Sequence, residues 1–222
     1  MADYFLLLDA VFFEQRARPA LAASWRQRGF GPCRALCEEL APAARAYAER
    51  YHTGPEEPLL CQIARASASL RFPFARDLWR ALVGEVLLYG AAEIPEFQTC
   101  ADTLCCLLAA DHAGDDQGER ERLPPILQAH RGSRDVTFGG AVYRPDHAGY
   151  NNVADVARLA AYLVCIRPDQ WTVADVALRR DAIDDEERAD ELAFARDWFP
   201  VLCELYQQAR DRGRVLVIES IY

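Results

Sequence analysis

The chain has 222 residues, 51% of them hydrophobic, so it is long enough to bury a core as one domain without a disulfide or metal staple. Its 34 acidic and 25 basic residues give a net charge of −9, which opposes attraction to nucleic-acid phosphates or anionic lipid. Every basic residue is Arg, and without Lys neither a Schiff base nor the phosphate loop that ends in Gly-Lys-Ser/Thr can form. We therefore expect no nucleic-acid and no membrane partner.

The two ends of the sequence have the pattern of strands. Residues 3–9, DYFLLLD, are short, apolar and bounded by acids, which predicts a buried strand and argues against a signal peptide or spanning helix. Residues 214–222, RVLVIESIY, are rich in β-branched residues and follow Gly213, which predicts a second strand. Mostly helical patterns lie between them, so we predict an α+β fold whose small sheet contains both terminal strands, in a soluble, cytoplasmic protein.

Apolar residues at spacings of three and four predict helical core faces between these strands. The faces consist of Cys33, Leu36, Cys37, Leu40 and Ala44; Trp79, Leu82, Val83 and Val86; Cys100, Ala101, Leu104, Cys105 and Leu108; Val153, Val156, Ala157, Ala160, Leu163 and Val164; and Leu192, Ala195, Trp198, Phe199, Leu202, Leu205, Tyr206 and Ala209. Asn152 and Asp184 are placed to cap the last two helices. The charged, Gly-containing segment 113–122 predicts a mobile loop between two halves of a single domain, residues 1–222.

The eight cysteines are dispersed along the chain, which indicates free thiols in a reducing compartment rather than a disulfide framework. Cys33 and Cys37 share a helical face, but they fall on an apolar stripe, where Cys acts as a small hydrophobe. A nucleophilic thiolate needs a cationic setting and a base. Only Cys106, which lies off the stripes, is expected to be exposed.

The tetrapeptide DHAG occurs twice, and its two copies offer metal ligands that suit Zn, Mn or Fe. The candidate ligands are Asp111, His112, Asp146 and His147. A calcium loop that starts at Asp111 fails, because Asp116 stands where Gly is required and Arg122 where a bidentate acid is required. We therefore interpret the repeat as two turns and expect no cofactor, and we keep a metal-assisted hydrolase as an alternative.

The second DHAG copy lies in residues 138–152, FGGAVYRPDHAGYNN, a compact segment with Gly at its turn and an Asn at its end. Its side chains offer hydrogen-bond donors and aromatic faces around a glycine-permitted turn. The candidate ligand-binding residues are Tyr143, Arg144, Asp146, His147 and Tyr150. This segment predicts a small-ligand sensor as a further alternative.

Residues 138–222 resemble the DUF1877 or YfbM-like group of small bacterial proteins. The pattern is the FGG loop, the helix NNVADVARLAAYL, a segment near Pro168, the acidic DAIDDEERADEL, the long helix FARDWFPVLCELYQQARDRG and the strand RVLVIES. The pieces DYFLLLD and WRALVGEVLLYGA are similar to that group's first strand and Trp-led helix, whereas residues 28–72 have no counterpart. The resemblance implies a fold and no activity.

No catalytic motif is complete, since the chain lacks GxSxG and the GFG at residues 29–31 has no third glycine in register. The main expectation is a non-catalytic binding or regulatory protein, accessory or immunity-type, whose partner is an unknown protein or small molecule. Whether the protein is an enzyme stays open, with the metal-assisted hydrolase and the small-ligand sensor as the alternatives.

Overall fold

A computed structural model describes residues 2–51, 57–66, 73–93, 101–108, 120–144, 147–176 and 184–221. The strands within these residues are β1 (Ala2–Asp9), β2 (Ala91–Glu93), β3 (Arg134–Asp135), β4 (Thr137–Phe138), β5 (Ala141–Val142), β6 (Ala148–Asn151) and β7 (Arg214–Ile221). The helices are α1 (Arg18–Gln27), α2 (Arg34–Tyr51), α3 (Leu59–Arg65), α4 (Arg76–Gly90), α5 (Ala101–Leu108), α6 (Pro125–Arg131), α7 (Val153–Val164), α8 (Val173–Val176) and α9 (Asp185–Asp211). Within these ranges no helix has both the length and the apolar composition needed to cross a membrane.

Five strands form one antiparallel sheet in the order β2, β1, β7, β6, β3. Strands β1 and β7 pair along their whole length, from Ala2 opposite Ile221 to Asp9 opposite Arg214. An ion pair of 2.8 Å between Arg214 and Asp9 closes one end of this ladder. The predicted α+β fold, with both terminal strands in a small sheet, is confirmed, and β7 is the central strand.

The sheet carries a hydrophobic core on each face, because side chains of a strand alternate between its two sides. Leu6 and Leu8 of β1 pack with helices α1 to α4, whereas Phe5 and Leu7 pack with helices α5 to α9. Strand β7 alternates in the same way. Helices from the first half of the chain therefore cover one face, and helices from the second half cover the other.

The predicted helix starts are confirmed at α7 and α9. The backbone N–H of Asp155 donates to the side chain of Asn152 at 2.9 Å, and the Asn152 N–H donates back to Asp155 at 3.3 Å, which completes a capping box. At α9 the backbone N–H of Glu187 donates to the Asp184 carboxylate at 2.9 Å. These contacts satisfy backbone donors that a helix N-terminus leaves unpaired.

The predicted apolar face of α7 is correct in the middle of the helix and wrong at its ends. Val156, Ala160 and Leu163 are buried, but Val153 and Val164 are 40% and 48% exposed. Both lie in the terminal turns of α7, which are not covered by the neighbouring elements that bury the middle of the helix. In α9 the predicted core residues are buried except Trp198, which is partly buried.

The predicted mobile loop at 113–122 lies outside the described residues except for its last turn. Arg120–Arg122 forms a 3-10 turn. The Arg120 guanidinium pairs with Asp135 at 2.7 Å and also donates to the carbonyl oxygen of Arg131. This end of the segment is therefore attached to strand β3, and the mobility of the rest stays a prediction.

Candidate functional site

A tight hairpin positions Tyr143 and Arg144. Strands β4 and β5 pair with Phe138 opposite Ala141, so the loop consists of Gly139 and Gly140 alone. Their φ angles are +62° and +87°. A two-residue hairpin loop of type I′ requires positive φ at both of its residues, which glycine adopts readily. After β5 the backbone N–H of Tyr143 donates to the carbonyl oxygen of Val136 at 2.9 Å, which turns the Tyr143 side chain inward.

Three parts of the fold meet at the Tyr143 hydroxyl. Tyr143 is fully buried beneath helix α4, where a Cβ atom on Gly84 would come within 2.6 Å of the hydroxyl oxygen. Glu219 of β7 lies opposite Ala148 of β6 in the sheet and beside the same hydroxyl. Arg80 lies one turn before Gly84 on α4. We name Arg80, Gly84, Tyr143, Arg144 and Glu219 the Tyr143 cluster.

Three buried polar atoms of the Tyr143 cluster have no hydrogen bond of full geometry in the described part of the chain. Arg80 Nε has no partner there, and the Tyr143 hydroxyl and Glu219 Oε1 fall short of hydrogen-bond distance and angle although their two side chains interact with each other. Arg144 approaches Glu219 at 4.0 Å and stacks its guanidinium over the Tyr143 ring at 5.3 Å. Since a poorly paired buried polar group costs free energy, this concentration makes the cluster the candidate functional site.

The electrostatics of the cluster differ from those of a solvated surface. Burial raises the pKa of Tyr143, and the neighbouring Glu219 carboxylate raises it further. Burial likewise raises the pKa of Glu219, while the Tyr143 hydroxyl and the Arg144 charge oppose that change. Perturbed groups of this kind concentrate at functional sites.

The members of the cluster differ in their exposure to solvent. The Arg144 side chain is 42% exposed and the Glu219 side chain 13% exposed, while Arg80 and Gly84 are partly buried. Solvent therefore contacts the Arg144 side chain, whereas the Tyr143 hydroxyl, Arg80 Nε and Glu219 Oε1 are buried.

Tyr150, also predicted as a ligand-binding residue, belongs to a different environment. Its ring lies 5.3 Å from that of Phe13, and the Arg18 guanidinium lies 5.7 Å above it and donates to its hydroxyl at 3.4 Å. The charges that act on Tyr150 come first from Arg18 and Glu14. None of them acts on Tyr143, so Tyr143 and Tyr150 do not form one site.

The other predicted site residues are not brought together in the structure as described. His147 is exposed in the turn before β6, where its backbone N–H donates to the Arg144 carbonyl at 3.2 Å. Asp111, His112 and Asp146 lie outside the described residues. Among the described side chains no group of three or more His, Cys, Asp and Glu is arranged to hold a metal ion.

A second polar cluster lies inside the protein, on the other side of the sheet, and it is satisfied by its own hydrogen bonds. Asn151 accepts from the hydroxyl of Ser133 at 2.6 Å and donates to the carbonyl of Gln128 at 3.0 Å. It also donates to the Tyr206 hydroxyl at 2.8 Å, which itself donates to the Ala129 carbonyl at 2.8 Å. This network joins β6, α6 and α9 and has a structural role.

The described cysteines are mostly core residues, as their apolar spacing predicts. Cys33, Cys37 and Cys61 are buried. The Cys33 thiol and burial together raise the pKa of Cys37, which leaves it protonated and unreactive. The expectation of a single exposed thiol is wrong in one respect: Cys165 is exposed just after α7, while the side chain of Cys106 lies outside the described part.

The sequence pattern predicts Tyr143 and Arg144 as site residues but does not predict Glu219, Arg80 or Gly84. The position of Glu219 could have been predicted from the sequence. It follows Val215 and Val217 at the two-residue spacing of a strand, so it faces the same side of the sheet as they do, towards the core. A charged residue at a core-facing position of a strand indicates that its charge is paired or that it belongs to a functional site. Arg80 and Gly84 had no comparable signal, since their approach to Tyr143 is a tertiary contact.

Comparisons with known proteins assign the chain to no family. No protein-family model matches the chain, and no curated protein matches it. Among solved structures the chain is similar to YfbM from Escherichia coli, a protein of unknown function, at 11% sequence identity and a TM-score of 0.49, over 99% of this chain and 100% of that one. The similarity concerns the fold, and membership in the DUF1877 group stays a prediction.

Proposed function

We propose that this protein is a non-catalytic binding protein, and that the Tyr143 cluster is its binding site for a small molecule. The supporting observation is the set of buried polar atoms on Arg80, Tyr143 and Glu219 that have no hydrogen bond of full geometry among the described residues. A ligand that supplies those partners would remove a cost of about 1–3 kcal/mol for each unpaired group.

Binding suits the cluster better than catalysis. Guanidinium groups stay protonated, and the raised pKa keeps the Tyr143 phenol neutral, so neither exchanges a proton near neutral pH. Glu219 is then the one titrating group within the cluster's defined members. Acid–base and nucleophilic mechanisms use a second group beside the first, and the cluster does not contain one.

The alternatives have less support. The metal-assisted hydrolase depends on four residues of which the structure describes His147 alone. The accessory or immunity-type role, with a protein partner, stays a prediction, and recovery of a stoichiometric partner from the source cell would support it. Membership in the DUF1877 or YfbM-like group is supported by the pattern of residues 138–222 and would be contradicted if close homologues failed to align with that group there.

A thermal-shift screen of the full chain against a metabolite panel tests the proposal. We expect at least one compound to raise the Tm, since a ligand at about 100 times its Kd adds about 2.7 kcal/mol of stability. Tyr143→Phe and Arg144→Gln should each weaken that compound by about tenfold or more, because each removes a polar contact. Tyr206→Phe, a phenol of the other face, is the matched control and should retain the response.

Two results would contradict the proposal. One is a panel in which no compound raises the Tm. The other is a compound whose effect survives both Tyr143→Phe and Arg144→Gln, because such a compound binds elsewhere.

A further inference from the structure

We infer that a surface around Arg28 is a docking site for an acidic segment of a partner protein. Arg26 and Arg28 lie at the end of α1, Arg76 begins α4, and the rings of Trp25 and Phe74 belong to the same surface. We name these five residues the Arg28 surface. They lie outside the Tyr143 cluster, so the inference holds whether or not that cluster binds a ligand.

The Arg28 guanidinium is stacked on aromatic rings. It lies over the Trp25 ring, 4.2 Å from the ring centroid, and 5.9 Å from the centroid of Phe74. The Trp25 centroid is 6.0 Å from that of Phe74 and 4.8 Å from that of the buried Trp79, so the rings beneath Arg28 are attached to the core. Stacking leaves the N–H donors at the edge of the guanidinium plane, where they can form a bidentate pair with a carboxylate.

The backbone of Arg28 has a conformation that arginine rarely adopts. Its φ and ψ are 50° and 47°, in the left-handed region, and in the described ranges it is the only residue other than glycine with a positive φ. This conformation ends α1, where the Arg28 N–H donates to the Trp25 carbonyl at 3.3 Å. Helices commonly end on a glycine in this conformation, because glycine adopts it at lower cost. An arginine that bears the cost indicates a use for its side chain.

The positive charge of the Arg28 surface is not compensated within the described part of the chain. Arg26, Arg28 and Arg76 are exposed, and none of them forms an ion pair there, not even with Asp77, which follows Arg76. Other arginines at the surface pair with a carboxylate, among them Arg16, Arg18, Arg65, Arg188, Arg210 and Arg214. A local excess of positive charge on a protein of net charge −9 favours negative groups of a partner at this place.

The composition of the surface fits a protein partner. Trp and Arg are enriched among the residues that contribute most to protein–protein binding. Stacking already orders the Arg28 side chain, so its pairing with a carboxylate costs less conformational entropy than the pairing of a free arginine. A nucleic acid is disfavoured, because the net charge of −9 repels a chain of phosphates. We therefore assign the surface to Asp or Glu side chains of another protein.

NMR titration of the 15N-labelled full chain with an octapeptide of glutamate, at pH 7 and low salt, tests the inference. The chain has four tryptophans, so its spectrum contains four indole N–H signals. We expect the peptide to shift the signal of Trp25, which the Trp25→Phe variant identifies by its loss. Trp171 and Trp198 pack on the other face of the sheet, and their signals are the internal control that should not move.

Substitutions assign the binding to Arg28. Arg28→Gln should weaken the peptide by about fivefold or more, because a hydrogen-bonded ion pair is lost. Arg28→Lys keeps the charge without the planar fork and should weaken it by about threefold. Arg210→Gln makes the same change of charge on α9 and is the matched control, which should alter the Kd by less than about twofold.

The remaining outcomes would overturn the inference. One is a Trp25 signal that the peptide does not shift, or an affinity that Arg28→Gln and Arg210→Gln reduce equally. Another is tighter binding of an oligothymidylate of eight nucleotides than of the peptide at the same salt, which would assign the surface to nucleic acid. A third is a dimer in light scattering that Arg28→Gln dissociates, which would assign the surface to a second copy of this chain. The metabolite screen at the Tyr143 cluster affects none of these results.

Discussion

Tyr143 and Tyr206 are both completely buried, on opposite faces of the sheet, but their hydroxyl groups differ in what they contact. The Tyr206 hydroxyl has hydrogen bonds of 2.8 Å to Asn151 and to the Ala129 carbonyl. The Tyr143 hydroxyl has none that meets the usual geometry in the described residues. The same chemical group is therefore held by two good hydrogen bonds in one core and by none of that quality in the other.

Replacing each Tyr by Phe should change stability differently. Tyr206→Phe removes one of the hydrogen bonds of Asn151 and the donor to the Ala129 carbonyl, and should lower the free energy of unfolding by about 1–3 kcal/mol. Tyr143→Phe removes a buried hydroxyl that has no hydrogen bond of full geometry, and should leave stability unchanged or raise it by about 1 kcal/mol. Urea denaturation of the two variants without ligand measures both. A loss of stability in Tyr143→Phe equal to that in Tyr206→Phe would show that its hydroxyl is structurally paired.

Glu219→Gln should stabilise the ligand-free protein at neutral pH. Burial raises the pKa of Glu219 in the folded state above its unfolded value. Its contribution to stability is therefore fully present below the unfolded pKa and is lost as pH rises through the folded pKa. The variant should have a higher Tm than the wild type at pH 7.5, and the difference should shrink towards pH 4.5.

Thermal melts across this range, with the exposed Glu49→Gln as control, measure the effect. A constant difference at all pH values would contradict the assignment of the effect to Glu219 ionisation. A variant that gains stability while losing ligand affinity has the trade-off expected of a binding residue.

At the scale of elements, helix α7 shows how local signals fix a boundary. Its capping box joins Asn152 and Asp155, and the Asp155 carboxylate also pairs with Arg134 of β3 at 2.8 Å. The start of α7 is therefore attached to the edge strand of the sheet. This matters for the site, because β6 leads from the hairpin into the same helix.

Asn152→Ala should lower the free energy of unfolding by about 1 kcal/mol, because it removes the acceptor for the Asp155 N–H. Asn152→Asp keeps an acceptor in place and should cost less. Urea denaturation compares the two variants with the wild type. Equal losses for both would mean that the cap does not account for the stability of this boundary.

The elements that could be predicted are those whose signals are local. The capping residues Asn152 and Asp184 and the apolar spacings of α2, α4 and α9 lie within a few residues of the structure they specify. Strand order could not be predicted this way, because the pairing of β7 with both β1 and β6 joins distant segments. Tyr143 could be predicted as a candidate because the turn segment that contains it is recognisable locally. Its neighbours on α4 and β7 could not, because they approach it only through contacts between distant segments.

At the scale of the molecule, the sheet joins two cores into what we predict to be one cooperative unit. Adjacent residues of β1 serve opposite faces, with Leu6 in one core and Leu7 in the other. Damage to either core therefore weakens the strand on which the other depends.

Leu6→Ala and Leu7→Ala should each destabilise both halves of the protein, by about 2–5 kcal/mol. Hydrogen exchange measured by mass spectrometry should show that peptides from α4 and α7 lose protection together in each variant. Faster exchange confined to α4 in Leu6→Ala and to α7 in Leu7→Ala would show two independent folding units. Val201→Ala, on the exposed face of α9, is the control that should leave both peptides protected.

The central place of β7 also determines when the fold can form during synthesis. Strands β1 and β6 do not pair with each other in the sheet, and β7 is inserted between them. During synthesis, β1 therefore cannot pair with β7 until residues 214–221 have emerged from the ribosome. Until then the apolar residues of β1 and β6 lack the strand that lies between them in the sheet. A nascent chain that stops before β7 lacks the strand that joins the β2–β1 pair to the β6–β3 pair, so we expect it to be a substrate for chaperones and proteases rather than a partly active form.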